Sequence, residues 1–164
     1  METIRWDIYN FIDRKDKLRG NSMRGEEGLE RFVKAQKDDY AEALSEMKNG
    51  HKESHWIWYI FPQMRGLGYS SMSEYYGIKN LDEAKAYLKH PVLGKRLIEI
   101  SEALLSLDSN DARNVMGYPD DLKLRSSMTL FHLADPSEDI FKKVLEKFFS
   151  GKPDPETVNL INVK

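Results

Sequence analysis

Residues 51–78 combine aromatic rings, glycines and hydroxyl groups in one stretch, HKESHWIWYIFPQMRGLGYSSMSEYYGI. Its tryptophan and tyrosine rings offer faces on which a nucleobase could stack, and each stacked base contributes about 1–3 kcal/mol. Gly66 and Gly68 carry no side chain, so a ligand could approach their backbone amides closely. Polar groups between large rings are typical of the lining of a concave binding site.

Two side chains in this stretch could take part in acid–base chemistry. An N-glycoside hydrolase needs a carboxylate that stabilises an oxocarbenium-like centre or activates water, together with groups that hold the base. Glu74 is the best-placed carboxylate because it lies within the aromatic stretch, and His55 is the histidine best placed to donate or accept a proton. We therefore predict Glu74 and His55 as a catalytic pair.

The same stretch predicts a set of ligand-binding residues. Arg65 could meet a phosphate or carboxylate through its planar guanidinium group. The full predicted set is Trp58, Gln63, Arg65, Gly66, Gly68, Ser70 and Tyr75. Two alternatives stay open: the rings could simply fill the core while the glycines and serines form turns and caps, or an aromatic groove could bind a peptide or partner helix without catalysis.

Several kinds of site are excluded or not expected. The chain has no cysteine, which excludes disulfides, thiolate metal sites and cysteine nucleophiles. His51 and His55 are four residues apart and would share the face of a helix, but no third ligand accompanies them, so no metal is predicted. Nucleotide-binding loops of the Walker or Rossmann type are missing as well. The sequence predicts no cofactor.

Composition describes a globular chain that is nearly neutral. The 164 residues include 25 basic and 27 acidic side chains, a formal net charge of −2, which does not favour general binding to nucleic acid. No apolar stretch approaches the roughly 20 residues that cross a bilayer, and the charged N-terminus has no apolar signal-peptide core. We expect a cytoplasmic protein without membrane contact, and the oligomeric state is left open.

Apolar spacing and capping residues predict an all-α fold of about six to eight helices. One helical stripe covers 27–48, and Asn80 with Glu83 forms a plausible capping box for a helix over 81–89. Pro91 opens a helix over 91–106, Ser137 caps a helix that stops at Gly151, and Asp154-Pro155 starts a last short helix. Trp56–Phe61 is the one candidate strand, and it is too short for periodicity to decide.

The spacing also predicts two parts of the chain. Residues 2–19 carry apolar side chains at helical spacing, and the glycines, asparagine and serine that follow look like a linker. We therefore divide the sequence into an N-terminal helical extension and linker, 1–25, and a single compact helical domain, 26–164.

Several motifs resemble a known family. The string SHWIWYIFPQ at 54–63, the Gly66-Leu67-Gly68 turn, GYPDDLKL at 117–124 and Lys152-Pro153-Asp154 together resemble the domain-of-unknown-function family 1810, which is sometimes mislabelled calpastatin-like. The resemblance runs from about Leu29 to Ile161. It brings no established reaction with it.

A second, more distant resemblance concerns residues 69–76. Their layout is similar to the NADAR superfamily, small helical proteins linked to ADP-ribose and N-glycoside chemistry. The acidic, histidine and tyrosine positions of that superfamily fall on Ser73, Glu74 and Tyr75, so the carboxylate is displaced by one residue. This resemblance implies a nucleotide-like ligand related to ADP-ribose.

Overall fold

A computed structural model describes residues 27–162, so the predicted extension, its linker and their boundary at residue 25 lie outside the described residues. The described residues form nine helices, six of which have at least seven residues. In chain order they are α1 Glu27–Asn49, α2 Ile57–Ile60, α3 Ser71–Tyr75, α4 Leu81–Lys89, α5 Leu93–Leu105, α6 Ala112–Met116, α7 Asp120–Ala134, α8 Ile140–Phe149 and α9 Pro155–Asn162. Between 27 and 162 the β pairing is an isolated parallel bridge between Met64 and Ile78. The all-α prediction is confirmed.

Helix α7 lies at the centre of the fold and contacts α2, α4, α6, α8 and α9. A helix that is covered on most sides must satisfy its polar side chains internally. Ser126 Oγ donates to Leu122 O over 3.1 Å, and Thr129 Oγ1 donates to Arg125 O over 2.8 Å. These bonds to the preceding turn allow hydroxyls to sit in the core.

Helices α4 and α5 approach each other closely at a glycine. A Cβ atom added to Gly94 would overlap the carbonyl oxygen of Leu88. Because that neighbour is backbone, it has little freedom to move aside. The sequence His90-Pro91-Val92 between the two helices therefore makes a tight corner that only glycine at position 94 permits.

Trp56–Phe61 is not a strand. Residues Ile57–Ile60 form the single turn α2, in which all four side chains are buried. Burial on several sides suits one helical turn, whereas an edge strand would expose every second ring. Gln36 Nε2 fixes this turn to α1 by donating to Tyr59 O over 2.7 Å.

The predicted helix ends are partly right. Asn80 Oδ1 accepts from Glu83 N over 2.9 Å, as the capping box requires. The helix predicted at Pro91 begins at Leu93, where His90 Nδ1 accepts from Leu93 N over 3.2 Å. The prediction that Ser137 caps the next helix is wrong, because α8 begins at Ile140 and the Ser137 hydroxyl donates instead to Asp135 Oδ1.

Within residues 27–162 no helix has both the length and the apolar character needed to cross a bilayer.

Candidate functional site

A cleft of about 450 Å³ opens between α1, the segment 54–56, α2 and α3. Its size falls within the range of small-molecule sites. The lining residues are Lys34, Ala35, Asp38, Asp39, Glu42, Ser54, His55, Trp56, Tyr59, Met72 and Tyr76.

The α1 wall of the cleft is acidic. Asp38, Asp39 and Glu42 lie on one face of α1 because residues four apart are neighbours on a helix surface. Lys34 is the one basic side chain on this wall. In the part of the chain that the structure describes, no lysine or arginine forms an ion pair with any of the three carboxylates. The wall therefore favours a ligand that is cationic or that donates hydrogen bonds.

The opposite wall consists of aromatic side chains that are largely buried: Tyr59 is 7% exposed and Tyr76 is 8% exposed. Tyr59 and Tyr76 have ring centroids 5.1 Å apart at an interplanar angle of 55°. The Tyr59 hydroxyl donates to Asp39 Oδ2, which joins the aromatic wall to the acidic one. A ligand at this wall would touch only the small exposed part of these rings and would have the Asp39 carboxylate beside it.

Glu46 positions the segment that carries His55. Its Oε1 accepts from Glu53 N at 2.9 Å, Ser54 N at 3.0 Å and Trp56 Nε1 at 2.8 Å, and its Oε2 accepts from Ser54 Oγ at 2.5 Å. Burial alone would raise the pKa of Glu46, but these bonds to the ionised form outweigh it and lower the pKa. One buried carboxylate thus holds the cleft edge in place.

Arg31 positions the other edge, residues 75–77. Its guanidinium group is buried and donates to Tyr75 O over 2.7 Å and to Gly77 O over 2.9 Å. It also pairs with Glu83 Oε2 at 3.2 Å. Sequence reasoning missed Arg31 because the charge of a residue does not reveal whether it faces solvent or a turn far along the chain.

The predicted catalytic pair is only partly at the cleft. His55 is exposed and lines it, whereas Glu74 is exposed on α3 and is not among the lining residues. The acidic residues of the cleft come instead from α1. Sequence reasoning missed Asp38, Asp39 and Glu42, although their spacing along a helix was a readable sign of one acidic face.

The predicted ligand-binding residues are spread over several environments. Trp58 is buried in the core with 3% of its surface exposed. The backbone of Gln63 and Arg65 pairs with Ile78, through Ile78 N to Gln63 O at 2.9 Å and Arg65 N to Ile78 O at 2.8 Å. The Arg65 side chain is exposed. The structure does not bring these three side chains into the cleft.

The remaining four residues of that set shape the chain around α3. Gly66 has a φ of +106°, and a Cβ added to Gly68 would overlap Ser73. Ser70 caps α3, because its Oγ accepts from Ser73 N over 3.1 Å. Tyr75 is half-buried and stacks edge-on against Tyr76, with centroids 4.8 Å apart. These residues support the α3 side of the cleft without lining it.

A metal site is not assembled in the described residues. Residues 51–55 are not helical, so the expectation that His51 and His55 share a helix face is wrong. Between 27 and 162 no group of three histidine, aspartate or glutamate side chains has the geometry to hold a metal ion.

A second, more open depression of about 630 Å³ lies where α6, α7 and α8 meet. It is lined by Asn110, Asp111, Ala112, Arg113, Asp121, Leu122, Arg125, Phe148 and Phe149. Leu122 is 47% exposed and the nearby Tyr118 is 63% exposed. Burial raises the pKa of Asp121 despite hydrogen bonds from the backbone and the charge of Arg113.

The chain is similar to a solved protein along nearly all of that protein's length. The crystal structure of the conserved hypothetical protein Rv1873 from Mycobacterium tuberculosis has a TM-score of 0.81 and 43% sequence identity to it. The match covers 83% of this chain and 97% of the other. No curated protein shows significant similarity.

Residues 26–161 match a family described as protein of unknown function, DUF1810. The match includes both edges of the cleft and all nine described helices, apart from the last residue of α9. The chain therefore belongs to the DUF1810 family.

Proposed function

We propose that the chain is a small-molecule-binding domain whose site is the cleft on α1. The observation that carries the proposal is the Asp39 carboxylate bonded to the Tyr59 hydroxyl beside the Tyr76 ring. The hydroxyl or cationic groups of the ligand bind the carboxylates, and its ring contacts the exposed edges of the two tyrosines. The ligand class is a nucleoside-like compound.

The charge of the cleft narrows that class. Three carboxylates and one lysine line it, so a ligand phosphate would lie close to like charges. A neutral nucleoside, or one with a cationic ring such as nicotinamide riboside, suits this lining better than ADP-ribose with its two phosphates. The part of ADP-ribose that the proposed ligand shares is therefore its nucleoside.

The proposed chemistry is hydrolysis of an N-glycosidic bond. Water adds to the anomeric carbon, the bond from that carbon to the ring nitrogen breaks, and the leaving ring takes the electron pair. Asp39 is the carboxylate proposed to stabilise the oxocarbenium-like centre, since it lines the cleft and Glu74 does not. His55 is the group proposed to accept the proton that the attacking water loses.

Thermal unfolding with nicotinamide riboside, adenosine, NAD and ADP-ribose tests binding. A ligand at 100 times its Kd stabilises the folded state by about 2.7 kcal/mol. We expect a rise in Tm with the nucleosides, and loss of that rise in Asp39→Asn. The matched control is Asp108→Asn, an exposed aspartate outside the cleft lining. Absence of a shift with all four compounds contradicts the proposal.

A second candidate function is a protein-interaction module. It is favoured by Leu122 and Tyr118, two large apolar side chains left exposed beside the second depression. Selection of peptides from a displayed library tests it. Leu122→Asp is expected to abolish binding of the selected peptides, whereas Val92→Asp, at another exposed apolar residue, is expected to leave it unchanged.

A further inference from the structure

No lysine or arginine among residues 27–162 forms an ion pair with the carboxylates of the acidic wall, although Lys34 lies on the same wall. Asp38 and Glu42 are exposed and four residues apart on α1, and like charges at this spacing destabilise a helix by a few tenths of a kcal/mol. Ala35, Met72 and the rings of the aromatic wall lie beside them. The surface therefore suits an occupant that is both basic and apolar.

A segment with a basic end and an apolar set precedes α1 in the same chain. Residues 14–19 read RKDKLR, with four basic side chains and one acidic one, whereas the whole segment 2–19 has five basic and four acidic side chains. The residues before them carry an apolar set at helical spacing, namely Ile4, Ile8, Phe11 and Ile12. The segment 2–19 lies outside the described residues, so its match to the cleft is judged from its charges and apolar spacing alone.

The length of the linker allows this segment to reach the cleft. The cleft residues of α1 lie 7 to 15 positions after Glu27, which at 1.5 Å per residue is roughly 10–23 Å along the helix. Residues 20–26 separate the segment from α1, and seven extended residues span at most about 23–25 Å. A chain that turns back within this linker can therefore place residues of 2–19 beside the cleft.

We propose that residues 2–19 occupy the cleft of their own molecule. The apolar side chains pack against the aromatic wall, and the basic residues 14–19 lie beside Asp38 and Glu42. This docking does not rest on the proposed function.

Paramagnetic relaxation in the full-length chain tests the docking without any ligand. The sequence has no cysteine, so Glu2→Cys provides a single position for a nitroxide label. We expect the label to broaden the amide signals of cleft residues such as Ala35, Asp39 and Tyr76. The signals of Ala112, at the second depression, are expected to stay sharp.

Charge reversal separates specific docking from chance proximity. Reversing three of the basic residues, Arg14→Glu, Lys15→Glu and Lys17→Glu, is expected to remove the broadening at the cleft. The matched control, Lys142→Glu with Lys143→Glu on exposed positions of α8, is expected to leave it unchanged. Reversing the cleft with Asp38→Lys and Glu42→Lys is expected to remove the broadening too.

Three results would overturn the proposal. One is that the label broadens only amide signals of residues outside the cleft. Another is that the signals of the cleft residues stay broadened in both charge-reversed proteins. The third is broadening that arises only between labelled and unlabelled molecules in a mixed sample, which would assign the segment to a second copy. A ligand-induced rise in Tm does not enter these outcomes, so failure of the docking and failure of the proposed function are distinguishable.

Discussion

Glu46 Oε1 accepts a hydrogen bond from Trp56 Nε1 over 2.8 Å, and this bond joins α1 to the segment that carries His55. The same carboxylate also binds two backbone amides and the Ser54 hydroxyl. Glu46 is 8% exposed, so the donors would find little water if it were removed. The edge of the cleft thus depends on one charged group in the core.

Glu46→Gln is expected to lower the free energy of unfolding by about 2 kcal/mol, because hydrogen bonds to a charged acceptor are stronger than those to an amide. Urea denaturation measures the change. Glu30→Gln, at an exposed glutamate on the same helix, is the control and is expected to stay within about 0.5 kcal/mol of the wild type. Equal changes in the two variants would show that the Glu46 network contributes nothing specific.

The lowered pKa of Glu46 makes the stability of the fold depend on pH. Its pKa is lower in the folded state than the ordinary value of 4.5, so the unfolded chain binds its proton first as pH falls. The stabilisation is complete above the unfolded pKa and is lost as pH falls through the folded pKa. We expect the stability gap between wild type and Glu46→Gln to be narrower at about pH 3 than at about pH 7. A gap that is the same at both values contradicts this assignment.

Gly94→Ala tests the tight corner between α4 and α5. The added Cβ would overlap the Leu88 carbonyl, and overpacking of this kind typically costs about 1–3 kcal/mol or more. Gly151→Ala is the control, because Gly151 has a φ of +74° and an added Cβ would make only an ordinary contact with the Glu146 side chain. It isolates the cost of a positive φ, about 1–2 kcal/mol. Thermal unfolding should show the larger loss at Gly94, and the reverse order would contradict the close approach.

Helix positions followed largely from local sequence. Asn80 and Glu83 are three residues apart, and the bond between them forms within one turn, so spacing alone was enough to predict it. The sequence of Trp56–Phe61 could not decide between a strand and a helical turn, because the run is too short for its periodicity to distinguish them. Its helical turn depends on Gln36, a residue 23 positions before the Tyr59 carbonyl that it binds.

The cleft could be predicted only in part, because its two walls come from distant segments. His55 and the aromatic stretch drew attention through their composition. Asp39 became a candidate only once Tyr59, 20 residues later, was seen to bind its carboxylate. Glu74 is close in sequence to the aromatic stretch, but its place on α3 leaves it exposed. Local composition thus located one wall and missed the other.

Three single substitutions distinguish which carboxylate acts in the proposed hydrolysis. Asp39→Asn, His55→Ala and Glu74→Gln are compared with the wild type for release of the free base from nicotinamide riboside, measured by chromatography. Loss of a group that transfers a proton typically costs about 10²–10⁴-fold in rate, and loss of a group that stabilises charge in the transition state costs about 10²–10³-fold. We expect such losses for Asp39→Asn and His55→Ala, which change cleft residues, and a nearly normal rate for Glu74→Gln. Unchanged Tm values in all three variants are required, so that a loss of rate is not a loss of fold. Equal rates in all four proteins would end the catalytic proposal, and a selective loss in Glu74→Gln would move the reacting centre from the α1 wall to the exposed face of α3.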